Sequence, residues 1–207
     1  MPPLVSPLSP SEWSALFLLI TVTSFTPGPN TAISAAMGVN HGWRNTLGFI
    51  SAVPVGCGII YGLCALGVGG LVVQRPELRT VVLLAGVAYL LWLAQRLWRT
   101  QHLGEANGGL KVGFKQGVVL QFLNIKVWML ELSIVAGWLA GQAEGLARFL
   151  WTLPVVLGYA FLSNFSYAMV GSALRHWLAQ GQRLLWFNRS MASALALTAA
   201  WMIQGLT

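Results

Sequence analysis

Six long apolar runs separated by short polar connections organise this sequence. They cover roughly residues 13–39, 45–73, 79–98, 113–140, 146–173 and 188–206. A helix needs about 20 residues to cross a hydrocarbon core of ~30 Å. Each run is therefore long enough to span, and the longest must tilt or break. Barrel strands would instead alternate over about ten residues. The connections include Gln74-Arg75-Pro76-Glu77 and a glycine-rich stretch from Thr100 to Gly109. The pattern predicts an all-α membrane protein with six transmembrane helices. They form a single transmembrane domain over 1–207, with halves at roughly 11–100 and 113–207.

Polar and helix-breaking residues interrupt these runs at matching places. Thr26-Pro27-Gly28-Pro29-Asn30 breaks the first run, and Asn124-Ile125-Lys126 brings polarity into the fourth. The second run carries Pro54 and the fifth Pro154, so the two offsets are about 98 and 100 residues. Halves with an odd number of crossings are inverted relative to one another in the membrane. Transporters use that arrangement, with broken helices in corresponding positions marking the substrate site. Two inverted three-helix repeats with a broken first helix are thus expected.

Composition supports the membrane reading and removes several classes. Hydrophobic residues make up 56% of the 207 and charged residues 8%, with a mean hydropathy of +0.68. Soluble domains carry roughly a quarter charged residues. The net charge of +7 does not point to nucleic acid, because the basic residues lie between apolar runs and build no basic face. The first, third and fifth connections and their flanks hold Arg44, Arg96, Arg99, Lys111, Lys115, Arg175, Arg183 and Arg189, against Arg75, Arg79 and Arg148 in the others. Excess Lys and Arg marks cytoplasmic loops, which puts both termini outside. The first ten residues contain no Lys or Arg, so the first run is expected to be a retained helix and not a cleaved signal. Cys57 and Cys64 stand seven residues apart, about 10 Å along one helix face. That is too far for a disulfide, and both are expected as buried thiols.

Chemistry concentrates at the two interruptions. Pro27 and Pro29 remove backbone donors and Gly28 relaxes the local dihedral limits, so carbonyls are set free. Lipid offers them no partner, and such a break is kept where it is buried in protein or lines a wet cavity. There, carbonyls and a helix N-terminus can hold the ammonium and carboxylate of a zwitterion; a packing kink is the plainer alternative. Lys126, near the middle of the fourth run, costs roughly 2.5–3.5 kcal/mol on insertion scales. It can bind a carboxylate, exchange a proton, or satisfy the carbonyls freed by the first break. Asn124 beside it can both donate and accept. The candidates for substrate contact are Thr26, Pro27, Gly28, Pro29, Asn30, Asn124 and Lys126. Gln121, Glu131 and Asn164 form a second tier. Gln121, Asn164 and Ser166 serve equally well as interhelical hydrogen-bonding groups. Glu131 follows Lys126 by five residues, about 140° around a helix, so the pair shares no face of an unbroken helix. Gly58-x-x-x-Gly62 permits close helix approach, in a homodimer or within the chain.

The segment Thr26-Pro27-Gly28-Pro29-Asn30, followed by Asn40-His41-Gly42-Trp43-Arg44, resembles the opening of the LysE/RhtB family of bacterial amino-acid exporters. So does Ala85-Gly86-Val87-Ala88-Tyr89-Leu90-Leu91-Trp92-Leu93, and Gln121-Phe122-Leu123-Asn124-Ile125-Lys126 is similar to the family's Asn-Pro-Lys motif. The likeness runs over nearly the whole chain in the family's order. Ile125 stands where many members carry proline, so no proline enforces a break in helix four. The Asn-aliphatic-Lys version preceded by Gln-Phe resembles the branch that exports cysteine and O-acetylserine. Glu131 matches no family motif. The resemblance implies efflux of small neutral amino acids across the bacterial inner membrane, coupled to the proton gradient, with Thr26 to Asn30 and Asn124 to Lys126 lining the central site.

Other classes find little support. The sequence has no aspartate, His41, His102 and His176 fall in connections, and neither H-E-x-x-H nor G-x-x-x-x-G-K-[ST] occurs. No catalytic residue, cofactor or metal site is expected; the expected partners are a small amino acid and the lipid bilayer. The alternatives are an exporter of another small solute or ion, and a non-transporting membrane scaffold.

Overall fold

The computed structural model describes residues 6–67, 69, 75–100, 103 and 110–204. Most of the connections at 68–74 and 101–109, with His102, lies outside the described residues. All regular structure among the described residues is helical. Helix α1 (Pro10–Phe25) opens on a capping box, in which Ser9 accepts from the Glu12 amide while the Glu12 carboxylate accepts from the Ser9 amide. Helix α2 (Pro29–His41) follows, then α3 (Trp43–Ala65), α4 (Pro76–Arg99), α5 (Phe114–Leu123) and α6 (Ile125–Ile134). A π-helical turn, Val135–Leu139, extends α6. The long α7 (Gly145–Leu178) and α8 (Arg183–Gln204) complete the bundle.

Among the described residues, three helices are long and apolar enough to cross a membrane: Trp43–Ala65, Thr80–Arg99 and Gly145–Leu178. A fourth crossing is added if Phe114–Leu123 and Ile125–Leu139, bent by 69°, count as one. The other expected crossings fall short of that measure. Helix α1 ends after 16 residues at the Pro-Gly-Pro break, and α8 carries Asn188 and Arg189 in its first half. Within the second run, α3 ends at Ala65 and Gly67 takes a left-handed φ of 84°, while 68 and 70–73 lie outside the described residues. The fifth run continues to Leu178 and the last starts at Arg183, because Leu178 and Leu184 bury together against Val39.

Helix α2 is the axis of the fold, with every residue from Thr31 to Asn40 buried. Small residues let α7 lie directly on it. A Cβ at Gly38 would collide with the Ala168 backbone, and one at Gly171 with the Ala35 carbonyl. Helix α4 packs on α8, and α3 lies between α7 and α5. The outward faces carry Leu18, Val81, Leu146 and Leu197, each at least 65% exposed, as suits contact with lipid. Gly58 packs against Leu157 of α7, so that half of the Gly58/Gly62 pair serves an intrachain contact, while Gly62 faces open space. Cys57 and Cys64 are free and buried, as expected.

Polar ties hold the two ends. At one, Arg148 Nη1 meets Glu12 Oε1 at 2.6 Å and also donates to the Trp138 carbonyl, while Trp138 Nε1 donates to the Glu12 carbonyl. At the other, Asn40 Nδ2 donates to Asn188 Oδ1, and Asn188 Nδ2 donates to the Thr100 carbonyl, both at 3.1 Å.

Candidate functional site

The two helix breaks meet inside the bundle. Between α1 and α2, three residues leave helical geometry, and three carbonyls at the break find partners outside the regular helix ladder. The Tyr167 hydroxyl donates to the Phe25 carbonyl at 2.9 Å, and Lys126 Nζ donates to the Thr26 carbonyl at 2.9 Å. The Gly28 carbonyl accepts from the Ala32 amide at 2.9 Å and from the Thr31 hydroxyl at 3.0 Å. That hydroxyl also accepts from the Gly28 amide at 2.9 Å, capping α2. Lys126, beside the second break, thus satisfies a carbonyl of the first.

The second break is sharp, with a bend of 69°, although position 125 is an isoleucine and not a proline. Asn124 supplies the reason. Its backbone is extended (φ −95°, ψ 96°), and its Oδ1 accepts from the Lys126 amide at 3.2 Å, so it caps α6. The Phe122 carbonyl freed here accepts from Trp128 Nε1 at 2.9 Å. Gly86 of α4 makes room for the Leu123 carbonyl, which a Cβ at that position would strike. The Ala85-Gly86 motif is therefore a seat for the break.

Two cavities border this junction. The first, about 70 Å³, lies among α1, α2, α3, α6 and α7; the second, about 870 Å³, opens between α4 and α8. Thr26, Gly28, Pro29, Asn124 and Lys126 line both, so the Lys126–Thr26 contact stands between them. Leu197 and Trp201, about 70% and 67% exposed, wall the second cavity.

The sequence candidates fall into three positions. Thr26, Gly28, Pro29, Asn30, Asn124 and Lys126 line the first cavity, whereas Pro27 lines the second. Glu131 and Asn164 also line the first cavity. Gln121 lines neither; it is buried and clasped to Asn30, whose Nδ2 donates to Gln121 Oε1 at 2.7 Å. Asn164 Oδ1 accepts from the Ser34 hydroxyl at 2.9 Å and its Nδ2 donates to the Ala160 carbonyl at 2.8 Å, so it holds α2 to α7. Ser166 turns back on the Leu162 carbonyl and borders neither cavity.

Lys126 and Glu131 border the same cavity despite their angular separation. The long Lys126 side chain reaches across the start of α6 to Thr26, and Glu131 enters from further along the helix. Glu131 is 1% exposed, and its Oε2 has no hydrogen-bond partner. Thr23, Ser24, Thr31 and Ser163 complete the polar wall and are not singled out by the sequence, while Cys57, expected as a buried thiol, also borders the cavity. The Thr23-Ser24 pair just ahead of the break was the available signal. Among the described residues, no three His, Cys, Asp or Glu side chains gather as a metal site.

Comparison with known proteins places relatives beside this chain. A family model described as LysE type translocator matches residues 21–204. The chain is 26% identical over 177 residues to the cysteine/O-acetylserine efflux protein of Salmonella typhimurium, covering 82% of this chain and 89% of that protein. It is 24% identical over 181 residues to the cysteine/O-acetylserine efflux protein of Escherichia coli K12, covering 86% and 91%. No solved structure matches.

Proposed function

Because the chain belongs to the LysE type translocator family, we propose that it exports small neutral amino acids resembling cysteine, O-acetylserine, threonine or homoserine. Export runs outward across the bacterial inner membrane and is coupled to inward proton movement. The two inverted halves alternate access around the junction of the breaks, with both termini outside.

The observation that carries this reading is the dipolar wall of the first cavity. The N-termini of α2 and α6 adjoin it, and Lys126 adds a full positive charge. Helix N-termini and an ammonium favour a carboxylate. Glu131 supplies the opposite charge on the same wall, facing the substrate's ammonium. Thr26, Gly28, Pro29, Asn30 and Asn124 shape the carboxylate end, while Gln121 and Asn164 hold Asn30 and α2 in place. The small, partly apolar cavity suits a compact side chain better than a long or charged one. The relatives named for cysteine and O-acetylserine efflux support the same substrate class.

Counterflow in proteoliposomes tests the reading. Vesicles loaded with unlabelled O-acetylserine should accumulate labelled O-acetylserine, cysteine or threonine well above protein-free vesicles, and labelled lysine or glutamate far less. Equal traces for protein-containing and empty vesicles with every amino acid would remove the proposal.

A further inference from the structure

We propose that Glu131 is the proton-exchanging group of this chain, its carboxylate holding the substrate's ammonium when ionised and releasing it on taking up a proton. This rests on the exporter reading above and adds the residue and order of exchange that such coupling needs.

Glu131 is the one acid on the wall of the first cavity, and Lys126 the one base. They do not neutralise each other: Lys126 Nζ is engaged with the Thr26 carbonyl, and the ion pair found among the described residues is Glu12–Arg148. Glu131 Oε2 is buried without a partner. A buried acceptor left unpaired is costly, more so when charged. Two species can relieve it, a proton on the carboxyl or a cation in the cavity, and the substrate's ammonium is such a cation.

The surrounding groups leave that role to Glu131. Helix α3 brings Cys57, Tyr61 and Cys64 within electrostatic reach. The Tyr61 hydroxyl is occupied by Thr152 Oγ1 at 2.6 Å, and both thiols are buried and free. Thr23 and Ser24 of α1, and Ser163 and Asn164 of α7, face the cavity and do not titrate in the working range.

Because one oxygen serves both species, occupancy is exclusive, and exclusion produces exchange. With the site open to the cytoplasm, the substrate's ammonium binds the carboxylate and the proton leaves to the cytoplasm. With the site open outwards, a proton enters, the carboxyl becomes neutral, and the zwitterion departs. Each cycle moves one zwitterion out and one proton in.

Proteoliposomes carrying an internal pH dye, with O-acetylserine as the probe, test this. Added outside wild-type vesicles, O-acetylserine should alkalinise the lumen, and its half-saturating concentration in counterflow should rise as the medium is acidified from pH 8 to pH 6. Glu131→Gln should bind about tenfold or more weakly, as expected for a lost charge-assisted hydrogen bond, with the same affinity at both pH values and no lumen alkalinisation. A Glu131→Gln protein that moves protons and substrate in the wild-type ratio overturns the proposal. Should that variant fail to assemble, Glu131→Asp must retain both pH-dependent affinity and proton movement, and exchange without either overturns it. Wild type that exchanges O-acetylserine without moving protons sinks the Glu131 role and leaves the exporter reading standing. Wild type that exchanges no amino acid removes both.

Discussion

Lys126 Nζ donates to the carbonyl oxygen of Thr26 at 2.9 Å, across one hundred residues of sequence. The donor stands in the first turn of α6 and the acceptor just past the end of α1, so one bond ties both helix breaks together. A lysine ammonium has three donors, and this contact uses one. The same side chain can therefore complete the broken backbone and offer charge to a substrate, and these two roles separate experimentally.

Lys126→Ala removes both the charge and the Thr26 partner. Leaving that carbonyl unpaired should cost about 1–3 kcal/mol, read as a lower unfolding midpoint in detergent. Counterflow should fall by at least about tenfold, the equivalent of one lost charge-assisted hydrogen bond. Lys126→Arg should recover most of the stability and little of the transport, since a guanidinium presents a broad planar fork in place of a compact point charge. Undiminished flux in Lys126→Ala would take this residue out of the mechanism.

The break at Asn124 leaves position 125 open to proline. Ile125 is the first residue of α6, where proline is well tolerated, and the extended backbone of Asn124 is what a residue before proline prefers. Ile125→Pro should therefore keep stability within about 1 kcal/mol, apart from lost side-chain packing, and keep transport. Asn124→Ala loses the cap on the Lys126 amide and should cost about 1 kcal/mol, while Asn124→Asp retains a capping oxygen. Expression, detergent gel filtration and counterflow of the three variants check the ranking; a collapsed Ile125→Pro protein would contradict the geometry.

These substitutions show where sequence reading stops. Pro27 and Pro29 carry their effect in their own covalent structure, so the first break is legible from the chain alone. The second depends on Asn124 turning its side chain onto the next-but-one amide, and asparagine does that only in some contexts. Polarity within a span marked Gln121 and Asn164 as well as Lys126, but polarity does not say which partner a group meets. Asn30 takes up Gln121, and Ser34 takes up Asn164. Gly86 read as part of a motif, and its use became visible only with the Leu123 carbonyl lying against it. The buried, unpaired state of Glu131 is likewise a property of assembled helices, which no local pattern encodes.

Close helix contacts predict opposite outcomes for similar changes. Gly38→Ala would drive a methyl into the Ala168 backbone, which cannot rotate away, and should destabilise by about 1–3 kcal/mol. Gly86→Ala should cost a comparable amount and also disturb transport, because it displaces the carbonyl at the Asn124 break. Gly62→Ala meets open space inside α3 and should be neutral or stabilising by about 0.5–1 kcal/mol. Thermal unfolding in one detergent orders the three; Gly62→Ala proving the most damaging would show that this face packs against a second copy.

The Glu12–Arg148 contact fixes how the α1 end responds to acid. Glu12 accepts hydrogen bonds from Arg148 and from the Ser9 backbone and hydroxyl, and these hold its carboxyl down to about 2 from an ordinary 4.5. The folded form thus prefers the ionised carboxyl more than the unfolded chain does. Its contribution is fully present above about pH 4.5 and fades as pH falls towards about 2. The carboxyl faces solvent, so the effect is small and salt weakens it further. Glu12→Gln should lower the unfolding midpoint at pH 7 and low salt, and the wild-type and variant curves should converge as pH drops through this window. Arg148→Lys should preserve part of the difference, having one point charge for the Glu12 carboxylate and the Trp138 carbonyl that Arg148 Nη1 now bridges. A gap between wild type and Glu12→Gln that stays constant from pH 7 to pH 2 would mean that capping of α1 by Ser9, and not the charge on Glu12, secures this end of the bundle.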